Sequence, residues 1–316
     1  LPPIAKPVFK CDARGMGKKS YSVGESKKIV VIGSANIDLV ASVNHLPIPG
    51  ETVLGSSFNK IPGGKGANQA VAASKLGGEV SFVGCVGSDQ EGEMLRSSLE
   101  GANVDCEFLT SLPEIPTGTA MIGVDAEGNN SIIVNSGANG ALAQEHIIAA
   151  KGILESAKVI LMQLEIPTSC LETATEMANG ITILNPAPVV DIPKGLLGKV
   201  DVLVPNQIEL AHLSNKESFN NLDEIENAAK SLDIETVIVT LGSKGALLVS
   251  DSETELVSPP VVESVDTTGA GDAFCGSLAD SLSRGLSFIE SVEQSVAAGA
   301  LSTTRHGAQI SMPTRS

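Results

Sequence analysis

Residues 265–274 read Val-Asp-Thr-Thr-Gly-Ala-Gly-Asp-Ala-Phe, a glycine-rich turn that runs into the small and apolar residues of a helix start. The first backbone N–H groups of a helix lack partners within it and lie at the positive end of its dipole. Such a turn suits a phosphate, or a phosphoryl group that gathers charge during transfer. A carboxylate beside this anion hole repels the anion, unless its task is to take the proton of a hydroxyl attacking the phosphorus. The run therefore points to phosphoryl transfer to an alcohol, with Gly269, Ala270 and Gly271 as amide donors and Asp272 as base. Taken alone, the same run also fits an ordinary loop in which Asp266 or Asp272 caps the helix.

An alcohol needs its own recognition groups. Asn36 and Asp38 follow an apolar run and are separated by one residue, so in extended chain they share a face and can fork onto vicinal hydroxyls; they also fit a simple turn. Residues 62–70, Pro-Gly-Gly-Lys-Gly-Ala-Asn-Gln-Ala, are not a P-loop, because Gly rather than Ser or Thr follows the lysine. Their glycines admit a close ligand, and Lys65 and Asn68 can donate to hydroxyl oxygens. Glu165 sits just beyond the apolar run 159–162. Asn206 and Glu209 lie three apart at a helix start, a spacing that suits a hydrated Mg²⁺ and equally a capping box. Thr240-Leu241-Gly242-Ser243-Lys244-Gly245 is a turn fit to hold nucleotide phosphates or ribose, and the polar stretch 302–313 can offer carbonyls to a cation.

These groups need a scaffold that gathers them. Short β-branched runs near residues 28–33, 80–83, 159–162, 181–184, 202–204, 236–240 and 245–249 alternate with helical spacing over 67–76, 91–100, 145–156, 168–178, 223–232 and 272–283. Strand and helix in alternation predict a three-layer α/β/α domain with a mostly parallel central sheet, whose ligands bind at the C-terminal strand ends. Two stretches, about 37–60 and 116–136, alternate apolar and polar residues like half-exposed antiparallel strands. They predict either a small antiparallel β-sheet lid, through which two copies would pair, or edge strands of the main sheet.

A chain of 316 residues with 42% hydrophobic content can bury one large core. Its net charge of −16, with 3% aromatics and no Trp, disfavours nucleic acid as partner, and no apolar run reaches the ~20 residues of a membrane span. The five cysteines and four histidines are scattered, so neither a zinc site nor a disulfide framework is expected. Residues 1–28 differ: seven Lys or Arg against two acids give +5 within a total of −16, so the remainder carries −21. This basic, acid-poor leader fits a transit peptide or its remnant, and equally a solvated tail.

Taken in order along residues 28–316, the runs 63–70, 205–209, 266–272 and 307–311 resemble the ribokinase family, a branch of the PfkB-type carbohydrate kinases. The resemblance implies an ATP-dependent kinase that phosphorylates D-ribose at O5, working as a homodimer closed through the lid. Asn36, Asp38, Gly64, Lys65, Gly66, Ala67, Asn68 and Glu165 would hold ribose beside Asp272. ATP would lie against Asn206, Thr240 to Gly245, Gly271 and Asp272, with Asn206 and Glu209 organising Mg²⁺. By the same resemblance Asp266, Thr268, Ser302, Arg305, Gly307 and Ser311 would surround an activating K⁺, several through backbone oxygens. The leader departs from the bacterial pattern and suggests a plastid, the chloroplast stroma, over a cytoplasmic location.

Overall fold

The computed structural model describes residues 28–315, so the leader of residues 1–28 lies outside the described residues except for Lys28. Thirteen strands form there: β1 (Lys28–Ile32), β2 (Asn36–Val43), β3 (Gly55–Gly63), β4 (Glu79–Gly87), β5 (Leu109–Leu112), β6 (Gly118–Val124), β7 (Asn130–Asn135), β8 (Val159–Met162), β9 (Ile181–Leu184), β10 (Val202–Leu203), β11 (Thr236–Thr240), β12 (Ala246–Ser250) and β13 (Thr254–Val257). Nine make one sheet in the order β13-β12-β11-β10-β9-β8-β1-β4-β5. Neighbours from β5 to β11 are parallel, and only β12 and β13 run antiparallel at one edge.

The parallel strands are apolar throughout because both their faces are covered. In β1, Ile29 and Val31 enter a core shared with the helices Lys65–Lys75 and Ala270–Ser283, while Val30 and Ile32 enter a second core on the opposite face. Each such fully buried side chain contributes about 1.5–3 kcal/mol. One expected helix, 145–156, is two: Gln144–Ala149 and Lys151–Ser156 meet at Ala150, where ψ is 7° and Gly152, a weak helix former, follows. The structure adds the strands β5 and β13 and the helix Phe288–Ser302 to the expected elements; β5 and β13 are short edge strands whose signal is weak.

The other four strands form a separate sheet in the order β3-β2-β6-β7. The pairs β2–β3 and β6–β7 are antiparallel, in keeping with their alternation, but the two pairs join through a parallel contact, β2 with β6. Asn36 pairs with Gly118 at the start of both strands, so the two leave the main sheet in the same direction.

The main sheet positions the site through its C-terminal edge. Strand β1 has β4 on one side and β8 on the other, so the order of the sheet reverses between β1 and β8, the place where such sheets leave a crevice. Ser34 follows β1, Gln163 and Glu165 follow β8, Asn185 follows β9, Asn206 follows β10 and Thr240 ends β11. No helix among the described residues is long and apolar enough to cross a membrane.

Candidate active site

The glycine-rich turn ends where the sequence predicts, at a helix start. Gly269 is the N-cap of the helix Ala270–Ser283 and takes a left-handed conformation, φ 77°, which favours glycine. A Cβ at this position would lie 3.2 Å from Ala308, so the turn is also packed from behind by the C-terminal loop. The Ala270 N–H donates to Thr267 O at 3.2 Å, whereas the N–H groups of Gly271 and Asp272 have no partner among the described residues. Of the expected donors only Ala270 is engaged; the N–H of Gly269, like those of Gly271 and Asp272, has no partner among the described residues.

Asp272 stands in the first helical turn and is buried. Its Oδ2 accepts from Asn68 Nδ2 at 2.9 Å and its Oδ1 from Gln69 Nε2 at 3.0 Å. Burial raises its carboxyl above the usual range, with the nearby Lys65 ammonium and the two amides pulling the other way. Lys65 opens the helix Lys65–Lys75, so a glycine-flanked helix start brings it and Asn68 against the second helix start at Asp272. Burial lowers the Lys65 ammonium, but the carboxylates of Asp272, Glu165 and Glu209 outweigh it, and the group stays above its ordinary value. One cation thus faces three acids.

Glu165 is fixed by the reversal in strand order. Ser34 Oγ donates to Glu165 Oε2, and the Lys65 backbone N–H donates to the same oxygen at 3.2 Å. The Gly66 N–H reaches Ser34 Oγ at 3.4 Å and the Ala67 N–H reaches Ser34 O at 2.9 Å, which clips the 64–68 turn to the end of β1. Asn36 is buried, and its Oδ1 accepts from Asn139 Nδ2 at 2.7 Å. Asp38, on β2 of the second sheet, overhangs the same crevice: burial first, then the charges of Glu165 and Asp272, push its carboxyl up to about 7. Asn36, Asp38, Lys65, Asn68, Glu165 and Asp272 therefore converge on one crevice. Ser34, Gln69, Asn139 and Gln163 belong to it as well and were missed, because each is contributed by hydrogen bonds over long stretches of chain.

Further along the strand edge, Asn206 and Thr240 pair as an isolated parallel bridge, and the turn 240–245 lies beside the start of the helix Gln207–Leu213. Gly242, Ser243 and Lys244 are exposed, while Leu241 is buried and anchors the turn. Asn206 and Glu209 make a complete capping box: Glu209 N–H donates to Asn206 Oδ1 at 2.9 Å, Asn206 N–H to Glu209 Oε2 at 2.7 Å, and Asn206 Nδ2 to Glu209 Oε1 at 3.0 Å. Burial raises the Glu209 carboxyl, opposed by the Asn206 N–H and by Lys65. Among the described residues no three His, Cys, Asp or Glu cluster as direct metal ligands. A capped, buried carboxylate with lone pairs left over fits a Mg²⁺ that keeps its water shell rather than one stripped of it.

Of the residues expected around K⁺, Thr268 and Gly307 are each in contact with Asp266, whereas Ser302, Arg305 and Ser311 make no hydrogen bond to them among the described residues. Asp266 accepts from Thr268 N–H at 2.9 Å and from Gly307 N–H at 2.8 Å, so the 266–269 turn and the C-terminal loop are tied together. Burial works against the Asp266 carboxylate, but these donors win and its pKa lies below the usual value. Ser302 is the last residue of the helix Phe288–Ser302 rather than part of the loop, and its hydroxyl donates to Gly299 O. Ser311 is buried with its hydroxyl on Ala308 O, and Arg305 is exposed.

Known proteins share this architecture. The pfkB family carbohydrate kinase model matches residues 26–315. The chain is 37% identical over 294 residues to a ribokinase of Haemophilus influenzae, covering 92% of this chain and 96% of that one. It is 36% identical over 292 residues to a deoxyribokinase of Salmonella typhi, covering 90% and 95%. The structure of Arabidopsis thaliana ribokinase complexed with ribose and ATP aligns with a TM-score of 0.84 at 34% identity, over 90% of this chain and 95% of that one. An acid at an open helix start, a polar crevice at the strand-order reversal and this length of match lead to one assignment: the chain belongs to the pfkB family of carbohydrate kinases.

Proposed function

We propose that the protein transfers the γ-phosphoryl group of ATP to the O5 hydroxyl of D-ribose, giving ribose 5-phosphate and ADP. The observation that carries this reading is Asp272, a buried carboxylate in the first turn of a helix, beside two unpartnered backbone N–H groups and facing Lys65. Asp272 takes the O5 proton as O5 bonds to phosphorus, and the bond from that phosphorus to the β–γ bridging oxygen breaks. The N–H groups of Gly271 and Asp272 meet the charge that builds on the transferring oxygens. Asn36, Asp38, Lys65, Asn68 and Glu165 supply the hydroxyl-binding set, and Asn68 Oδ1, buried without a partner, is ready to accept from a sugar hydroxyl.

ATP would lie along Asn206 and residues 240–245. Mg²⁺, held through water by Glu209 and Asn206, would offset phosphate charge there. The Asp266–Gly307 contact supports a K⁺ site of backbone oxygens behind the turn, for which rates in sodium-only and potassium buffers are the measurement. The second sheet acts as a lid and as the surface by which two copies pair. The basic leader supports import into a plastid, which tagging with and without residues 1–28 tests.

Asp272→Asn removes the base but keeps the shape, so kcat falls by about 10³-fold or more while the ribose Kd changes less than about threefold. A variant with half the normal rate would defeat the assignment. The 36% identical deoxyribokinase favours a second reading, in which 2-deoxy-D-ribose is the preferred acceptor. Comparing kcat/KM for the two pentoses in one ADP-release assay decides between them.

A further inference from the structure

We propose that Gln69 is a positioning residue for Asp272, and that Gln163 and Asn185, at the ends of two central strands, hold Gln69 in place. The inference rests on the reading of Asp272 as the base. Gln69 Nε2 carries two hydrogens, and both are used: one donates to Asp272 Oδ1 at 3.0 Å and the other to Asn185 Oδ1 at 3.2 Å. Gln69 Oε1 accepts from Gln163 Nε2 at 2.6 Å, and Asn185 Nδ2 donates to Val204 O at 2.9 Å. The Gln69 amide is therefore fixed at both ends by groups that do not touch Asp272. Hydrogen bonds aligned in this way polarise one another, so the chain from Gln163 through Gln69 delivers a strengthened donor to the carboxylate.

The backbone makes room for this arrangement at two glycines. A Cβ on Gly33 would lie 1.9 Å from Gln163 Oε1, and one on Gly276 would lie 2.6 Å from the Gln69 carbonyl oxygen. The first lets Gln163 cross the end of β1; the second lets the helices bearing Gln69 and Asp272 approach closely. Gln69 and Gln163 are fully buried. This buried pair serves no helix cap or strand ladder; Gln163 Oε1 has no partner among the described residues, and beyond Asn185 the group that Gln69 donates to is the Asp272 carboxylate.

Asp272 is surrounded by other charges. Lys65 faces it from the helix Lys65–Lys75, Glu165 from beyond β8 and Asp38 from β2, and Cys275 lies on its own helix, with Glu209 beyond Lys65 and Cys275. Lys65 favours the charged base, whereas Glu165 and Asp38 oppose it. Gln69 supplies a directed donor to the ionised form without adding a second charge. Removing it raises the pKa of Asp272 and frees the carboxylate to turn.

The test uses Gln69→Met, which keeps length and loses both donors, and Gln163→Met, which leaves the Gln69 contact to Asp272 in place but unsupported. Gln69→Met should lower kcat about tenfold or more with the pentose KM within about threefold, and shift the acidic limb of kcat up by about one pH unit, the equivalent of a tenfold change. Gln163→Met should shift the limb in the same direction by less, and Gln69→Asn should restore part of it. The Asp272 carboxyl titration is followed separately by ¹³C NMR of labelled aspartate, assigned with Asp272→Asn, and should move up in both Met variants. An unmoved titration in either variant that folds overturns the proposal, even if kcat has fallen, because a purely structural role would lower activity without moving it. A shifted titration alongside an active Asp272→Asn would instead sink the base assignment and leave the Gln69 contact standing.

Discussion

Asp38 carries the clearest pH signature at the scale of single residues. Its carboxyl rises from 3.8 to about 7 in the folded protein, by burial and by the charges of Glu165 and Asp272. Between those two values the native state holds a proton that the unfolded chain has released, so stability falls as the pH rises from about 4 to about 7. Asp38→Asn removes the titration. Thermal unfolding of the ligand-free variant should show a flatter slope of Tm against pH across that window and a Tm a few degrees above the parent at pH 7.5, with weaker pentose binding. An unchanged slope would mean that Asp38 is no more hindered than a surface carboxylate. The residues that declared themselves in the sequence, Asp272 and Lys65 above all, sit in glycine-rich runs whose local chemistry is unusual. Gln69, Gln163, Ser34 and Asn139 did not, because a lone amide or hydroxyl is ordinary until the fold brings its partner from 94 to 131 positions away.

The helix start at 206–209 is a capping box for which we propose a second purpose, the support of Mg²⁺. Asn206 and Glu209 make three hydrogen bonds to each other, and that capping box alone accounts for both residue types. Yet a cap has no need of a buried carboxylate, and the Glu209 charge is felt by Lys65. Glu209→Gln separates the two roles. The amide oxygen can still accept from the Asn206 N–H, but the new NH2 meets Asn206 Nδ2 donor to donor, so one hydrogen bond is lost at a cost of about 1–2 kcal/mol. The charge is gone, so the Mg²⁺ concentration needed for half-maximal rate should rise about tenfold. A variant with normal Mg²⁺ dependence and a lowered Tm would make Glu209 a cap alone. The alternation of β-branched and helical runs revealed most of these elements, since parallel strands buried on both faces must be apolar. The edge strands β5 and β13, at four residues each, offer too few positions for a pattern, and the parallel contact of β2 with β6 depends on where two distant segments leave the main sheet.

For the molecule as a whole, the second sheet presents apolar side chains that no other part of the described chain covers. Register settles which side chains share a face. Asp38 lies in one cross-strand row with Ile61, Ala120 and Val134, and Val40 in the next row with Asn59, Ile122 and Ile132. Residues two apart on a strand point the same way, so Val40, Ile122, Ile132 and Val134 extend the face that bears Asp38. The opposite face carries Leu39, which packs on the main core, and Lys60, which pairs with Glu91 of the helix Gln90–Gly101 at 2.6 Å. The Leu39 face is turned to the domain at β2 and β3 but leaves Met121 and Ile133 exposed further out, and the Asp38 face leaves Ile132 at 51% and Val134 at 53% exposed, so apolar side chains of β6 and β7 are open on both faces. Apolar surface of this kind is expected to be covered, and a second copy presenting the same strip would also shield both pentose sites from water. Sedimentation of the intact protein should give a dimer of the 32.4 kDa chain. Ile132→Glu places a charge in the strip without touching the crevice residues, so it should yield monomers and raise the pentose KM at least about tenfold, because Asp38 loses the support behind its strand. A monomeric parent protein, or an Ile132→Glu monomer with unaltered KM, would separate this sheet from both pairing and closure.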